Sequence, residues 1–376
     1  MEGPRGTRMA EKESLKKCVG TVFRPSLWDE YPQLFNDDNL ENCRVMIHEG
    51  QVVTHIGMLI RDASLLGCTT RACNIGGVGT LPDFRKRGLA TQTFTDACAK
   101  ARRDGCDIMI ISGDRNLYRM AGCRKVGRDA DYLVTAALAE RFGPCGASVT
   151  MEQAAEKDIE AISRLYQREP VRFIRPREDY RRAMQCRFVM NRPSDFWLIR
   201  LGGAVVAYAI FNRPQPTDKQ TRLAEYAGLR CAVVGALPLI LAHYKIEKLT
   251  VHVLGSDTGL QALLNERGIA ATPGPGSGTV RIVNFPQLME RMRPYLAEAL
   301  GSEMARRLSF AEESDRFLFM FGSDRAEIKN PGDLVRLLFG TPDNSDAGII
   351  REDHPVMRAL RPALPFPALW YGISYV

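Results

Sequence analysis

The residues best suited to chemistry lie in one stretch, Gly76–Gly122, which reads GGVGTLPDFRKRGLATQTFTDACAKARRDGCDIMIISGDRNLYRMAG. Within it, Arg85-Lys86-Arg87-Gly88-Leu89-Ala90 joins a predicted strand to the first turn of a predicted helix. A helix N-terminus presents unpaired N–H groups and the positive end of its dipole, and together these attract an anion. Gly88 removes the β-carbon that would hold a diphosphate off the main chain. Ala90 keeps the same approach open, and Arg85 and Arg87 add charge-assisted donors. Taken alone, such a loop is equally the pattern of a solvated basic corner.

The loop needs elements to aim it. Arg44–Ile47, Gln51–Ile60 and Thr70–Thr80 read as successive strands, the first two joined by a turn at Glu49-Gly50. A helix is predicted over 89–103, with Leu89, Thr93, Phe94, Ala97, Cys98 and Ala101 on one face. Lys100, Arg102 and Arg103 suit its negative end, and Gly105 stops it. Asp107–Ser112 reads as a short buried strand, followed by a turn, a short helix around Tyr118 and a strand pair near 123–137. Residues 1–20 read as a polar tail, and Val22–Leu40 as a strand with helical pieces. Acidic residues between Trp28 and Asn42 read either as a solvated helix face or as the lining of a pocket for a cationic amine.

The chain has 376 residues, 45% hydrophobic and 25% charged, which at about 150 residues per domain accommodates two or three domains. That balance excludes disorder and fibrous repeats. No apolar run approaches the ~20 residues of a membrane span, and the N-terminus has no apolar signal core, so a cytoplasmic protein is expected. Ten cysteines include no CxxC pair and five histidines show no ligand spacing, so reduced thiols and no metal are expected. Between Asp83 and Arg128 stand eleven Lys/Arg against five Asp, a surplus of six in a chain of net charge +7. Without interleaved aromatics or a recognition helix, this basic segment fits a small polyanion better than nucleic acid.

Further along, Phe142–Ala147 reads as a linker, Met151–Gln167 as helical, Phe196–Phe211 as two strands, and Arg230–Val234 and Leu249–Leu254 as two more. The order repeats that of the first unit without the arginine-glycine loop, which implies a duplication whose second copy lacks the anion site. After the break at Pro273–Gly278, Phe285–Leu300 reads as an amphipathic helix, Phe317–Phe321 as a strand and Pro331–Phe339 as a helix capped by Asn330. The expected partition is a tail (1–20), a first unit (21–145), a second (146–280) and a small α+β unit (281–376).

The pattern R-x-x-G-x-A after a strand ending V-G-T-x-P, continued by Ser112 and Leu117-Tyr118, resembles the acetyl-CoA loop of the GNAT superfamily of N-acetyltransferases. Two such units, the second degenerate, followed by a sterol-carrier-like unit, resemble the enhanced intracellular survival (Eis) family. The resemblance implies an α+β fold of two tandem mixed-sheet GNAT domains and a small sterol-carrier-like domain. It implies acetyl-CoA as co-substrate and a primary amine as acceptor, whether aminoglycoside-like, polyamine or lysine. By the same resemblance Val78, Gly79 and Thr80 would pair with the pantetheine arm, and Arg85, Lys86, Arg87, Gly88, Leu89 and Ala90 would hold the diphosphate. Ser112 would lie near the cofactor.

Tyr118 aligns with the general acid that protonates the leaving thiolate; a phenol with an ordinary pKa of ~10 can do so. From the residues alone it reads equally as a core tyrosine. No His or Glu stands near the motif to act as base. The segment after Arg361, PALPFPALWYGISYV, carries no charged side chain, so burial is expected, with Trp370, Tyr371 and Tyr375 as anchors. In the family, the terminal carboxylate, here that of Val376, serves as base; a terminus merely packed on the third domain is the other reading. The resemblance also implies a hexamer. A different class of protein stays open on this sequence, a non-catalytic carrier or sensor holding lipid or acyl-CoA through residues 281–376.

Overall fold

The computed structural model describes residues 1–139, 142, 149–216, 221–274, 276, 278–314 and 316–376. The expected linker at Phe142–Ala147 lies outside them except for Phe142. The chain divides into two compact units. One comprises residues 1–126, 277–366 and 374–376, and the other 127–276 and 367–373. Residues 281–366 thus pack in the same unit as the first sheet.

The first unit opens with β1 (Glu2–Gly6), α1 (Lys12–Val22) and α2 (Leu27–Glu30), followed by β2 (Arg44–His48), β3 (Gln51–Leu65) and β4 (Cys68–Thr80). Then come α3 (Leu89–Arg103), β5 (Ile108–Ile111) and α4 (Asn116–Met120). The expected polar tail is therefore an edge strand and a helix, and Val22 ends that helix instead of starting a strand. Its polarity has a physical reason: β1 is a largely exposed edge paired only with β2, and α1 buries just Leu15, Cys18 and Val19. The predicted helix and its neighbours hold. Leu89, Thr93, Phe94, Ala97 and Ala101 of α3 are buried, while Cys98 is half-buried.

The sheet order is β1-β2-β3-β4-β5, completed by strand Thr279–Ile282 antiparallel to β5. A strand pair near 123–137 was the expectation for that place. Residues 123–126 make only a bridge, Arg124 to Val280, and the strand Ala130–Thr135 belongs to the second sheet. All four residues of β5 are buried, so its edge must be paired, and the alternating Thr-Val-Arg-Ile supplies the pairing. The buried Asp107 ties the later segment to β5: it accepts bonds from Arg71 N–H (2.7 Å), Gln287 Nε2 (2.8 Å) and Arg291 (2.7 Å). Burial pushes its pKa up, against the pull of these donors.

The second sheet runs 271–273, 130–135, 248–253, 221–228, 204–212, 192–201, 149–153. Its one parallel pair, 221–228 with 248–253, is joined by helix Arg230–Tyr244, just as α3 joins the parallel β4 and β5. The two mixed sheets are thus tandem copies of one α+β plan. Arg230–Val234, read as a strand, is the start of that helix. Its run CAVVGALPLILAHY is apolar nearly all round, so neither periodicity nor its two valines separated helix from strand. Met151–Gln167 divides into strand Val149–Gln153 and helix Ile159–Tyr166.

Within the first unit, strands 308–313, 316–321 and 324–328 form a third, antiparallel sheet. Phe285 packs on Phe319 (4.9 Å between ring centroids) and on Phe310 and Phe317 (5.9 Å each), filling one face with aromatic rings. The helix expected over 285–300 is two, 285–291 and 293–300, divided before Pro294, whose missing N–H suits a first turn. Asn330 caps the helix at 331–339 as expected, its side chain accepting from Gly332 N–H (2.8 Å).

Candidate active site

The parallel β4–β5 pairing covers only Ala72–Ile75 against Ile108–Ile111, and Ser112 N–H closes it on the Ile75 carbonyl (3.1 Å). β4 then runs five residues further, to Thr80, without β5 beside it. Across from β3 the register slips between His55 and Gly57, so β4 carries one extra residue there, and Gly77 takes φ +56°. A bulge of this kind turns a strand and leaves main-chain groups outside the ladder.

These groups open onto a cleft of about 580 Å³. Val78, Gly79 and Thr80 line it on one side and Arg85, Lys86, Gly88, Leu89, Ala90 and Thr91 on another, with Val22, Phe23, Phe84, Arg115 and Leu117 completing it. Gly88 caps α3 in the left-handed region (φ +74°), where a β-carbon costs roughly 1–2 kcal/mol. Lys86 is also left-handed (φ +62°), so the loop coils tightly into the helix. The first N–H groups of α3 point out of its N-terminus, as in any helix.

Eight of the ten residues aligned with the cofactor site therefore meet at one cleft. Arg87 and Ser112 do not line it. The Arg87 guanidinium donates to the Asp83 carbonyl (2.8 Å) and lies 5.0 Å from the Phe84 ring centroid, so it braces the loop. Arg85 donates to the Thr80 carbonyl (3.1 Å), and the Ser112 hydroxyl to the Ile75 carbonyl (3.3 Å).

Tyr118, on α4, is buried against Phe94 (5.4 Å), with its ring edge 3.2 Å from where a β-carbon at Gly113 would stand. Burial, partly offset by nearby Arg115, pushes its pKa up to about 12, so it holds its proton throughout the neutral range. Its helix borders the cleft through Leu117.

The segment after Arg361 is largely buried, and Val376 is 4% exposed. Residues 374–376 lie along β4: the Asn74 side chain donates to the Ser374 carbonyl (2.8 Å), and a β-carbon at Gly76 would overlap the Val376 carboxyl group. Tyr375 hydrogen-bonds Ser112 and packs on Tyr31 (6.1 Å). Only glycine at 76 leaves room for this arrangement.

Sequence reasoning found no histidine near the motif, yet the register of β3 puts His55 opposite Gly79. Phe23, Phe84 and Arg115 were likewise missed as cleft walls. Among the described residues, no cluster of three metal-ligating side chains occurs, and no helix is long and apolar enough to cross a membrane.

Residues 5–126 match the family described as acetyltransferase (GNAT) domain. The first unit carries a GNAT acetyltransferase domain. Over most of its length the chain is also similar to solved structures. One is a GCN5-related N-acetyltransferase from Anabaena variabilis ATCC 29413 (19% identity, 88% of each chain, TM-score 0.61). Another is a conserved Enterococcus faecalis V583 protein described as a probable N-acyltransferase (14%, 76% of this chain and 74% of that one, 0.60). A third is Eis1 from Mycobacterium abscessus (13%, 88% and 85%, 0.59). At such identities the likeness is one of fold. No curated protein sequence matches the chain.

Proposed function

We propose that the protein transfers an acetyl group from acetyl-CoA to a primary amine by direct attack. The observation that carries this reading is the cleft itself, where Val78–Thr80, at the end of β4 free of β5, meet a glycine-capped helix N-terminus on a basic loop. A diphosphate suits the Lys86–Ala90 turn, and an extended pantetheine arm suits the free edge of Val78–Thr80. The amine nitrogen attacks the thioester carbon, the carbonyl electrons move to oxygen, and a β4 N–H stabilises that oxyanion. On collapse the C–S bond breaks and Tyr118 protonates the departing sulfur.

The attacking nitrogen must shed a proton. The Val376 carboxylate, beside Gly76, is the acceptor. Aminoglycoside-like amines, polyamines and lysine are the acceptor classes to try. The test is thiol release from acetyl-CoA with a panel of such amines and protein ending at Val376. Amine-dependent release is expected, and acetyl-CoA bound without any acceptor-dependent release would contradict the reading.

A further inference from the structure

Of the polar side chains buried in the first unit, His55 is one that neither the diphosphate loop nor the proton donor uses. His55, on β3, is fully buried, and neither ring nitrogen has a hydrogen-bond partner among the described residues. A neutral imidazole offers one donor and one acceptor, and leaving such groups unmet in an apolar setting costs about 1–3 kcal/mol each. Phe23 and Phe35 meet the ring edge-on, at 6.4 and 6.0 Å, contacts that a leucine could also make. Packing therefore gives no reason for a histidine here, and an unmet group of this kind calls for a partner that arrives from outside.

Its position says where. His55 pairs opposite Gly79, and its Cε1 and Nε2 lie 3.0 and 3.6 Å from where a β-carbon at Gly77 would stand. Gly79 and Phe23 are both walls of the cleft. The imidazole thus stands behind the β4 segment assigned to the thioester, screened by the ring of Phe23, which is itself 38% exposed. Gly76, against which the Val376 carboxyl packs, adjoins Gly77 in the chain.

We propose that His55 is the polar contact for the amino group of the acceptor, reached past the ring of Phe23. This rests on the acetyl-transfer reading. An amine N–H donating to the unprotonated ring nitrogen keeps the amine lone pair free for the thioester carbon. Burial holds the His55 pKa down, at about 3, so the ring stays neutral and does not repel an incoming amine. The same apolar walls favour the neutral amine over the ammonium ion.

The test compares His55→Leu and His55→Asn with wild type in the full chain, by acetyl-CoA affinity, melting temperature and kcat/KM for an accepted amine. For His55→Leu, acetyl-CoA affinity is expected within twofold of wild type and the melting temperature equal or higher, because two unmet polar atoms are gone. Its kcat/KM is expected to fall at least tenfold, chiefly through KM, and His55→Asn recovers part of that loss. An unchanged kcat/KM in His55→Leu overturns the proposal. So does a melting temperature that drops in both variants together with acetyl-CoA affinity, which would mark a packing role. If wild type turns over no amine, the acetyl-transfer reading fails and binding decides the assignment. An amine that stabilises coenzyme-loaded wild type but not His55→Leu supports it, and equal stabilisation of both overturns it.

Discussion

At one strand-to-helix junction eight residues, Leu81–Gly88, separate β4 from α3; at its counterpart in the second unit a single residue, Leu229, separates strand 221–228 from helix 230–244. The first junction opens a cleft of about 580 Å³. At the second, Arg230 in the first helical turn is held by Glu169 (2.8 and 2.5 Å) and Asp257 (2.7 Å). Glu169 also takes the Gly228 N–H (3.0 Å), and Asp257 takes the Leu260 N–H (3.0 Å). Carboxylates of the chain itself thus occupy donors that a phosphate would need, around a pocket of only about 210 Å³. The sheet plan alone does not make an anion site; the inserted loop does.

The buried histidines make the same contrast. His55 has no hydrogen-bond partner among the described residues, and burial holds it neutral. His252 lies between Asp131 (2.8 Å) and Asp129 (3.1 Å) and stacks on Trp370 (3.9 Å). Burial opposes charge on His252, but the two carboxylates outweigh it and raise its pKa. The histidine of the first unit leaves its polar capacity open, and that of the second has it satisfied internally.

The comparison breaks most sharply if chemistry survives the loss of the first unit's own reacting groups. Gly76→Ala, which displaces the Val376 carboxyl, is expected to lower kcat about a thousandfold with acetyl-CoA affinity retained. Turnover near wild type would remove that carboxyl from the mechanism. Tyr118→Phe is expected to cost about a hundredfold in kcat, with affinity within twofold, as judged by steady-state rates beside a binding titration. In the second unit, Arg230→Ala is expected to leave acetyl-CoA binding and kcat untouched. It should instead cost about 2–4 kcal/mol of stability in denaturant melts, because two largely buried carboxylates lose their cation.

The histidines predict opposite pH dependences. The folded pKa of His55 lies below its ordinary 6.5, so its contribution to stability is present above pH 6.5 and is lost as pH falls towards about 3. The slope is about 1.4 kcal/mol per pH unit. His252, with its pKa raised, contributes fully below 6.5 and loses that contribution as pH rises through its folded value. His55→Leu should flatten the acid limb of a melting-temperature profile, and His252→Leu the limb above 6.5. Smallest of all, Arg87→Ala is expected to weaken acetyl-CoA binding less than threefold, since its side chain braces the loop without lining the cleft.

Much of this was legible because local signals coincided: the stripe along 89–103, Gly88 before it and Gly105 after it all mark the same helix. The repeat of strand order likewise exposed the second sheet. Strand partners distant in sequence were not legible. Nothing in Thr279–Ile282 says that it pairs with β5, because sheet pairing at that range leaves no periodic trace. His55 was missed for a narrower reason. With β3 ended at Ile60, because Arg61, Asp62 and Ser64 are polar, the turn at Leu66-Gly67 went unread. That turn fixes the register, and counting back from it brings His55 to the glycines of β4. The helix at 230–244 was obscured by its own composition, since an element apolar on nearly every face shows no period.

The most direct measurement is calorimetric titration of the full chain with acetyl-CoA, beside Gly88→Val and Arg230→Ala. One equivalent per chain is predicted, with affinity lost at least thirtyfold in Gly88→Val, where a branched side chain meets a left-handed backbone, and unchanged in Arg230→Ala. Two equivalents per chain, or Gly88→Val binding as wild type does, would contradict the assignment of the thioester carrier to the loop before α3.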